Sequence, residues 1–431
     1  MGFRPTAAYA ACLARSCYSS LILLALAAGG SVEAQSSIAL TLDQAVQFAE
    51  QRSPALRNAQ SELQALEAQL GETNALLWNN PELTAGLDRR RFPENGQATE
   101  WNLGLAQTFE LAGQRGHRRE AAQQALAAGK EVYNEVHLQL RSDVTQRFVR
   151  VAALQERVAV EEEMLNLVNG LSGIITKRFK AGEDTRLDAN VAAVEADRAR
   201  NQLGQLREAL IEARRELAAA LQLPPDQHPY TEGGIPIRSP TYSLEQLLSQ
   251  VDQRPLIRSL RHSEAAARSR LSLERAGAYP DLTLGVGTGQ EGLSGEREQF
   301  IGLTASLPLP LFKRNRAAIG RAAADLTSAQ IEREVTARDN RNAVLALWER
   351  LQSLRERTAL LRNATLPRLE ENQRLARRSL EVGEIGTAEV LLATRQLIEL
   401  RRDAIEAQAE LAVVIAQIEQ VAGWLPAVAR P

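Results

Sequence analysis

Apolar residues recur at three- and four-residue steps along most of the chain and at two-residue steps in four short stretches. Leu42, Val46, Ala49, Leu56, Leu63, Leu66 and Leu70 share one helical face, so residues 41–77 are expected to form an amphipathic helix. Thr41 caps its first turn and Asn79-Asn80-Pro81 stops it. From Gly113 to Gly182 the helical period does not break, and Val144, Phe148, Val151, Leu154, Val158, Val168 and Ile175 carry it. A narrow stripe kept up this long predicts coiled-coil-like packing. A shorter helix returns over 185–222 and ends at Pro224-Pro225. The second half runs alike, with a helix over 244–276 and a long one from about Arg314 through Val344, Leu347, Leu351 and Leu354. Pro367 is expected to kink or split that helix, because it removes a backbone hydrogen bond. After Gly383 a last helix runs to about Val421.

Between the helices the period shortens to two. Leu83, Ala85 and Leu87 alternate with Thr84, Gly86 and Asp88, and Trp101, Leu103, Leu105 and Phe109 with Asn102, Gly104, Ala106 and Thr108. Strands are therefore expected at about 82–92 and 100–110, with the polar stretch Arg89 to Thr99 as a hairpin loop. In the second half Leu282, Leu284 and Val286 alternate with Thr283, Gly285 and Gly287, and Ile301, Leu303, Ala305 and Leu307 with Gly302, Thr304 and Ser306. Those strands fall at about 281–291 and 298–309. Each strand is about ten residues long, the length that crosses an outer membrane when tilted. A small soluble hairpin packed on helices also alternates, but it needs neither so apolar an outer face nor so much Gly, Thr and Ser on the inner one. Gly285-Val-Gly287-Thr-Gly289 has the spacing of a phosphate loop, but no Lys-Ser/Thr follows it; it reads as barrel wall.

The two halves are copies. Thr41-Leu-Asp-Gln-Ala answers Ser243-Leu-Glu-Gln-Leu, and Pro81-Glu-Leu-Thr-Ala-Gly-Leu answers Pro280-Asp-Leu-Thr-Leu-Gly-Val. The turns match as well: Gly182-Glu183 and Gly383-Glu384 each open a turn, and Asp188 and Glu389 each follow the glycine by six residues. The units are 35–222 and 244–423, joined by a Pro/Gly-rich linker at 223–243, with a patternless tail at 424–431. The two turn glycines are expected at positive φ, where glycine ends a helix at little cost. A carboxylate early in a helix also favourably meets the positive end of its dipole.

Composition narrows the function. Only 4% of residues are aromatic, and 51 basic residues face 53 acidic ones, so no basic excess points to nucleic acid. Residues 1–34 read as a secretory signal, with Arg4 and Arg15, the apolar run Leu21 to Ala28, and Val32-Glu33-Ala34 before the cut. Both cysteines, Cys12 and Cys17, lie inside it, which leaves the rest of the chain without a disulfide or thiolate ligand. No later stretch has eighteen consecutive apolar residues. His117, His137, His228 and His262 are scattered without helical metal-site spacing and read as solvated surface groups. No residue set supports an enzyme, a cofactor or a tight metal site.

Helix, β-hairpin, long helix, turn, helix, all duplicated, resembles the TolC-type outer-membrane efflux factors. The resemblance covers essentially the whole chain after the signal. It is carried by Ser53-Pro54-Ala-Leu, Leu366-Pro367, and the Gly383 turn with Glu389-Val-Leu-Leu-Ala-Thr-Arg395. Asn79-Asn80-Pro81-Glu82-Leu83 and Gln107-Thr-Phe109-Glu-Leu-Ala-Gly113-Gln-Arg115 look like its cobalt–zinc–cadmium efflux branch, the CzcC-like proteins. The resemblance implies a mostly α chain with a small β part. Three copies would close a twelve-stranded outer-membrane barrel continued by a periplasmic helical tunnel. It implies a tripartite pump with a periplasmic adaptor and a proton-driven, RND-type inner-membrane transporter. It also places Asp188 and Glu389 at the periplasmic constriction, and Gly182, Glu183, Gly383 and Glu384 at the tips where the adaptor docks. The family often has a second constriction carboxylate three residues beyond the first, where this chain has Leu392. A duct for drugs or secreted proteins shares the fold, and a soluble periplasmic coiled-coil scaffold shares the helical pattern.

Overall fold

A computed structural model describes residues 36–91, 97–236, 238, 240–292 and 297–424. The expected signal and the tail beyond Trp424 lie outside the described residues.

β1 (Ser36–Leu40) leads into α1 (Leu42–Arg52), which starts with a reciprocal cap between Thr41 and Gln44. The helix expected over 41–77 is two helices. Ser53 takes φ −56° and ψ 122° and caps α2 (Pro54–Thr73). Pro54 pushes its predecessor out of the helical region, and its own missing N–H is harmless at a helix start. The copy breaks the same way into α5 (Leu244–Val251) and α6 (Pro255–Ala276), not one helix over 244–276. α2 also stops at Thr73, short of Asn79, because Leu76, 79% exposed, no longer meets a core.

β2 (Glu82–Arg91), β3 (Gln97–Phe109), β5 (Leu282–Glu291) and β6 (Glu298–Ser306) form one antiparallel sheet in the order β2-β3-β5-β6. The stretch Arg89 to Thr99 is not all loop, since the ladder continues to Arg91 opposite Gln97. One face carries the rows Leu83–Leu105–Val286–Leu303 and Ala85–Leu103–Thr288–Ile301. No described residue covers it: Leu83 is 70% exposed and Leu303 86%. The other face carries Thr84–Gly104–Gly287–Gly302. A Cβ on Gly104 would stand 2.8 Å from the Thr84 hydroxyl, so that row has little room for side chains. Among the described residues, β2 and β6 keep unpaired edges.

α3 (Gln114–Ala181) runs 68 residues, about 100 Å at 1.5 Å per residue, and packs against α2, α4 (Arg186–Ala220), α6 and α9 (Thr387–Ala422). In the second half α7 (Arg316–Leu360) reaches a five-residue π turn, Leu361–Thr365, before α8 (Leu366–Glu381). Pro367 is the cause, because it cannot donate to the carbonyl four residues back and the wider turn absorbs the gap.

The linker holds a strand that the alternation does not show. β4 (Gln227–Thr231) pairs in parallel with β1, from Ser36 opposite Gln227 to Leu40 opposite Thr231. Each half has its own core. Val46, Val144, Phe148, Leu217 and Leu221 fill the first, and Leu247, Val344, Leu351 and Ile418 the second. Trp424, expected to carry no pattern, packs edge-on against Tyr242 at 5.4 Å in the second core. Across the halves a buried network joins Arg254, at the start of α6, to Glu135 on α3 and Asn340 on α7.

Candidate functional site

At the two tips the same chemistry repeats in backbone detail. Gly182 (φ +81°) and Gly383 (φ +79°) end α3 and α8 in the left-handed region. Glu183 N–H donates to Arg178 O at 2.9 Å, and Glu384 N–H to Ser379 O at 2.9 Å, closing matched six-to-one turns. A Cβ on either glycine would meet no atom within 4 Å, so both tips present bare backbone to open space. The side chains differ. Arg178 stands 3.6 Å from Glu183 and 3.2 Å from Asp184, whereas Glu384 accepts from the Ser379 hydroxyl at 3.3 Å.

Asp188 and Glu389 both sit in the first turn of a returning helix, as their spacing predicts. Their surroundings are not equivalent. Asp188 closes a reciprocal cap with Thr185: its backbone N–H donates to the Thr185 hydroxyl at 3.2 Å, and its carboxylate accepts from the Thr185 hydroxyl and N–H. Those donors hold the Asp188 carboxyl below the usual carboxylate range. The matching cap position before α9 is Gly386, which has no side chain to offer. Glu389 is exposed and folds back over the turn, where a Cβ on Gly386 would lie 2.8 Å from its Oε2. Asp188 is tied to its cap, whereas Glu389 makes no such cap with the residue before α9. Leu392, one turn beyond Glu389, is 57% exposed.

A second charged region lies at the hairpin end of the sheet. Asp88, Glu100, Glu291 and Glu298 fall on the glycine-bearing face, with Asp88 opposite Glu100 and Glu291 opposite Glu298. Arg90 joins them and pairs with Glu100 at 3.4 Å. Arg89 and Arg91 alternate to the apolar face. Only Asp88 was assigned a face from the sequence. Glu100, Glu291 and Glu298 lie at the ends of the expected strands, beyond the apolar residues that carry the alternation, and extending the two-residue period to those ends places them on the same face.

The sequence pattern of the family described as "Outer membrane efflux protein" matches residues 45–222 and 247–423, one copy per half. The chain belongs to the outer membrane efflux protein family. It is 25% identical over 362 residues to the cobalt-zinc-cadmium resistance protein CzcC of Cupriavidus metallidurans, covering 84% of this chain and 85% of that one. It is 24% identical over 318 residues to the nickel-cobalt-cadmium resistance protein NccC of Alcaligenes xylosoxydans xylosoxydans, covering 72% and 69%. Its fold matches that of the outer membrane protein VceC from Vibrio cholerae with a TM-score of 0.74 at 19% identity, over 89% of this chain and 96% of that one. As an outer membrane efflux protein the chain has the TolC-type plan, a membrane barrel continued by a periplasmic helical tunnel. It resides in the outer membrane, and the soluble-scaffold alternative is set aside.

An outer membrane efflux protein is a transport duct, and among the described residues no group of three His, Asp or Glu side chains is arranged to hold a metal. The histidines are not all solvated as expected. His137 lies 3.3 Å from Glu50, and His262 is half-buried with Nδ1 2.8 Å from Gln124 Oε1. Both sit where α3 packs on a neighbouring helix, so packing, not solvent, sets their surroundings.

Proposed function

We propose that this chain is the outer-membrane exit duct of a tripartite efflux system exporting divalent heavy-metal cations. A proton-driven, RND-type inner-membrane transporter supplies the cations through a periplasmic adaptor. Three copies assemble, with β6 of one copy pairing β2 of the next, because a bilayer tolerates no open sheet edge. Twelve strands then carry the apolar face outward to lipid and the glycine-bearing face inward.

The observation that carries the cation reading is the charge of the inner strand ends. Among the described residues of the paired strands, Asp88, Glu100, Glu291 and Glu298 stand there against Arg90 alone. A mouth of that sign attracts cations, repels anions, and binds weakly enough to release them. Similarity to CzcC along most of both chains supports the same cargo. At the narrow periplasmic end Asp188 and Glu389 ring the entrance. The free Glu389 sets ion selectivity, and the capped Asp188 holds the start of α4.

In planar bilayers Glu389→Gln is therefore expected to lower cation selectivity and block by added divalent ions severalfold. Asp188→Asn should leave selectivity nearly unchanged and loosen the first turn of α4. Asp188 is held below its unfolded value, so its contribution to that turn is full above the unfolded pKa and is lost as pH falls through the lowered one. Amide exchange at α4 against pH reads this directly, and a flat profile would remove the cap from the account.

The cargo is tested by deleting the gene and restoring it on a plasmid. Tolerance to cobalt, zinc and cadmium should fall on deletion and return on restoration. If metal tolerance is unchanged while drug tolerance falls, the duct serves drug efflux and the metal reading is wrong.

A further inference from the structure

The outward face of the sheet changes character at one level. Going up β2, the outward positions are Leu83, Ala85, Leu87, then Arg89 and Arg91. Opposite Leu87 stands Trp101, whose Nε1 donates to Gln290 Oε1 of β5 at 3.3 Å. A tryptophan with an apolar body and a polar partner marks the membrane–water boundary. Arg89 and Arg91 lie two and four residues farther along, about 7 and 13 Å at 3.3 Å per residue and less in height because barrel strands tilt. With Trp101 at the boundary, that height would bring them to the headgroups of the outer leaflet.

Charge at this level is sorted by face. Every carboxylate named above for the strand ends points inward, and Arg90, inward too, finds Glu100. On the outward face the positions beside Arg89 and Arg91 are Thr99 and Gln97, with Gln290 and Gln299 one level below. None of these is acidic, and neither arginine has an ion-pair partner among the described residues. β2 is also the edge strand, so in a closed barrel this pair meets the next copy's β6, which begins after Arg297. Two planar guanidiniums on one strand face, unpaired and at headgroup height, match phosphate oxygens through forked hydrogen bonds. A merely solvated rim has no need to sort its charges in this way.

We propose that Arg89 and Arg91 form a site for the phosphates of the bis-phosphorylated, acylated disaccharide of the outer leaflet (lipid A), repeated once per copy around the barrel. The site depends on residence in the outer membrane and not on the cargo, so it stands whether or not the duct carries metal.

The test uses the full-length protein purified in non-ionic detergent, with bound lipid read by native mass spectrometry. Bis-phosphoryl lipid A should be retained, and occupancy should fall about tenfold in Arg89→Gln/Arg91→Gln and with rising salt. Arg90→Gln, on the inner face, should match the wild type. Phosphatidylglycerol at equal concentration should not displace the glycolipid. Equal occupancy in wild type and double variant, or equal displacement by phosphatidylglycerol, overturns the site. A second measurement needs no variant: wild-type protein should bind lipid A stripped of both phosphates about tenfold more weakly, and equal binding also overturns it.

Discussion

Replacing Arg254 by alanine is expected to destabilise the protein by about 3–5 kcal/mol, because it strands a carboxylate in the interior. Arg254 and Glu135 are 5% and 4% exposed. The guanidinium donates through Nε to Glu135 Oε2 at 3.1 Å and through Nη1 to Asn340 Oδ1 at 2.8 Å. Arg254 Nη2, Gln139 Nε2 at 3.0 Å and Leu256 N–H at 3.2 Å also donate to the same carboxylate, and Gly423 packs its Cα side against the Arg254 backbone. The Arg254–Glu135 pair thus ties the first half's longest helix to the start of α6 and, through Asn340, to α7. Glu135→Gln should cost less than Arg254→Ala, since the amide keeps an acceptor. The double change Arg254→Met/Glu135→Leu should recover most of the loss, because an apolar pair of similar volume avoids burying charge. The apparent melting temperature of the detergent-solubilised protein checks all three. An Arg254→Ala variant that melts with the wild type would show that the network is not a support.

Gly383→Trp is expected to abolish metal tolerance while leaving the yield of assembled protein close to normal. The backbone at φ +79° resists a side chain by only about 1–2 kcal/mol, and open space surrounds the position. The bulk of the indole therefore falls on whatever docks at the tip, which is the adaptor on the reading given above. Gly182→Trp should act in the same direction through the other tip. Growth on metal, compared with the amount of protein in outer-membrane fractions, separates docking from folding. Undiminished tolerance in Gly383→Trp would reduce this glycine to a helix terminator.

Long-period features were the legible ones. The stripe from Val144 to Ile175 predicts α3, and the alternation of Leu83 to Leu87 predicts β2, because each repeats one signal many times. The breaks at Ser53-Pro54 and Arg254-Pro255 each rest on a single proline inside a stripe that continues past it, so the apolar spacing hides them. Pro367 was legible because it lies deep in a long stripe, although the form of the break, a π turn, was not. β4 was invisible for the opposite reason: Gln-His-Pro-Tyr-Thr has no alternation, and its partner strand lies in another part of the chain. At the tips, equal spacing placed Asp188 and Glu389 correctly in their helices. It did not show that Thr185 captures the first while Gly386 leaves the second alone. That distinction depends on one residue at each cap.

The pairing of β1 with β4 also orders events in time. Ser36 and Gln227 lie roughly 190 residues apart, and Glu232 N–H extends the ladder to Leu40 O at 2.9 Å. Closing so long a loop is slow, and it cannot begin before the second partner has crossed the inner membrane. Until then the strand that opens the first repeat has no place to go, and Ile38 and Leu40 stay out of the first core that they finish. A chain cut at Gln222 would keep both long helices of its half and still lack this closure. The first repeat is thus a copy in sequence whose core is completed only when the linker to its twin supplies β4.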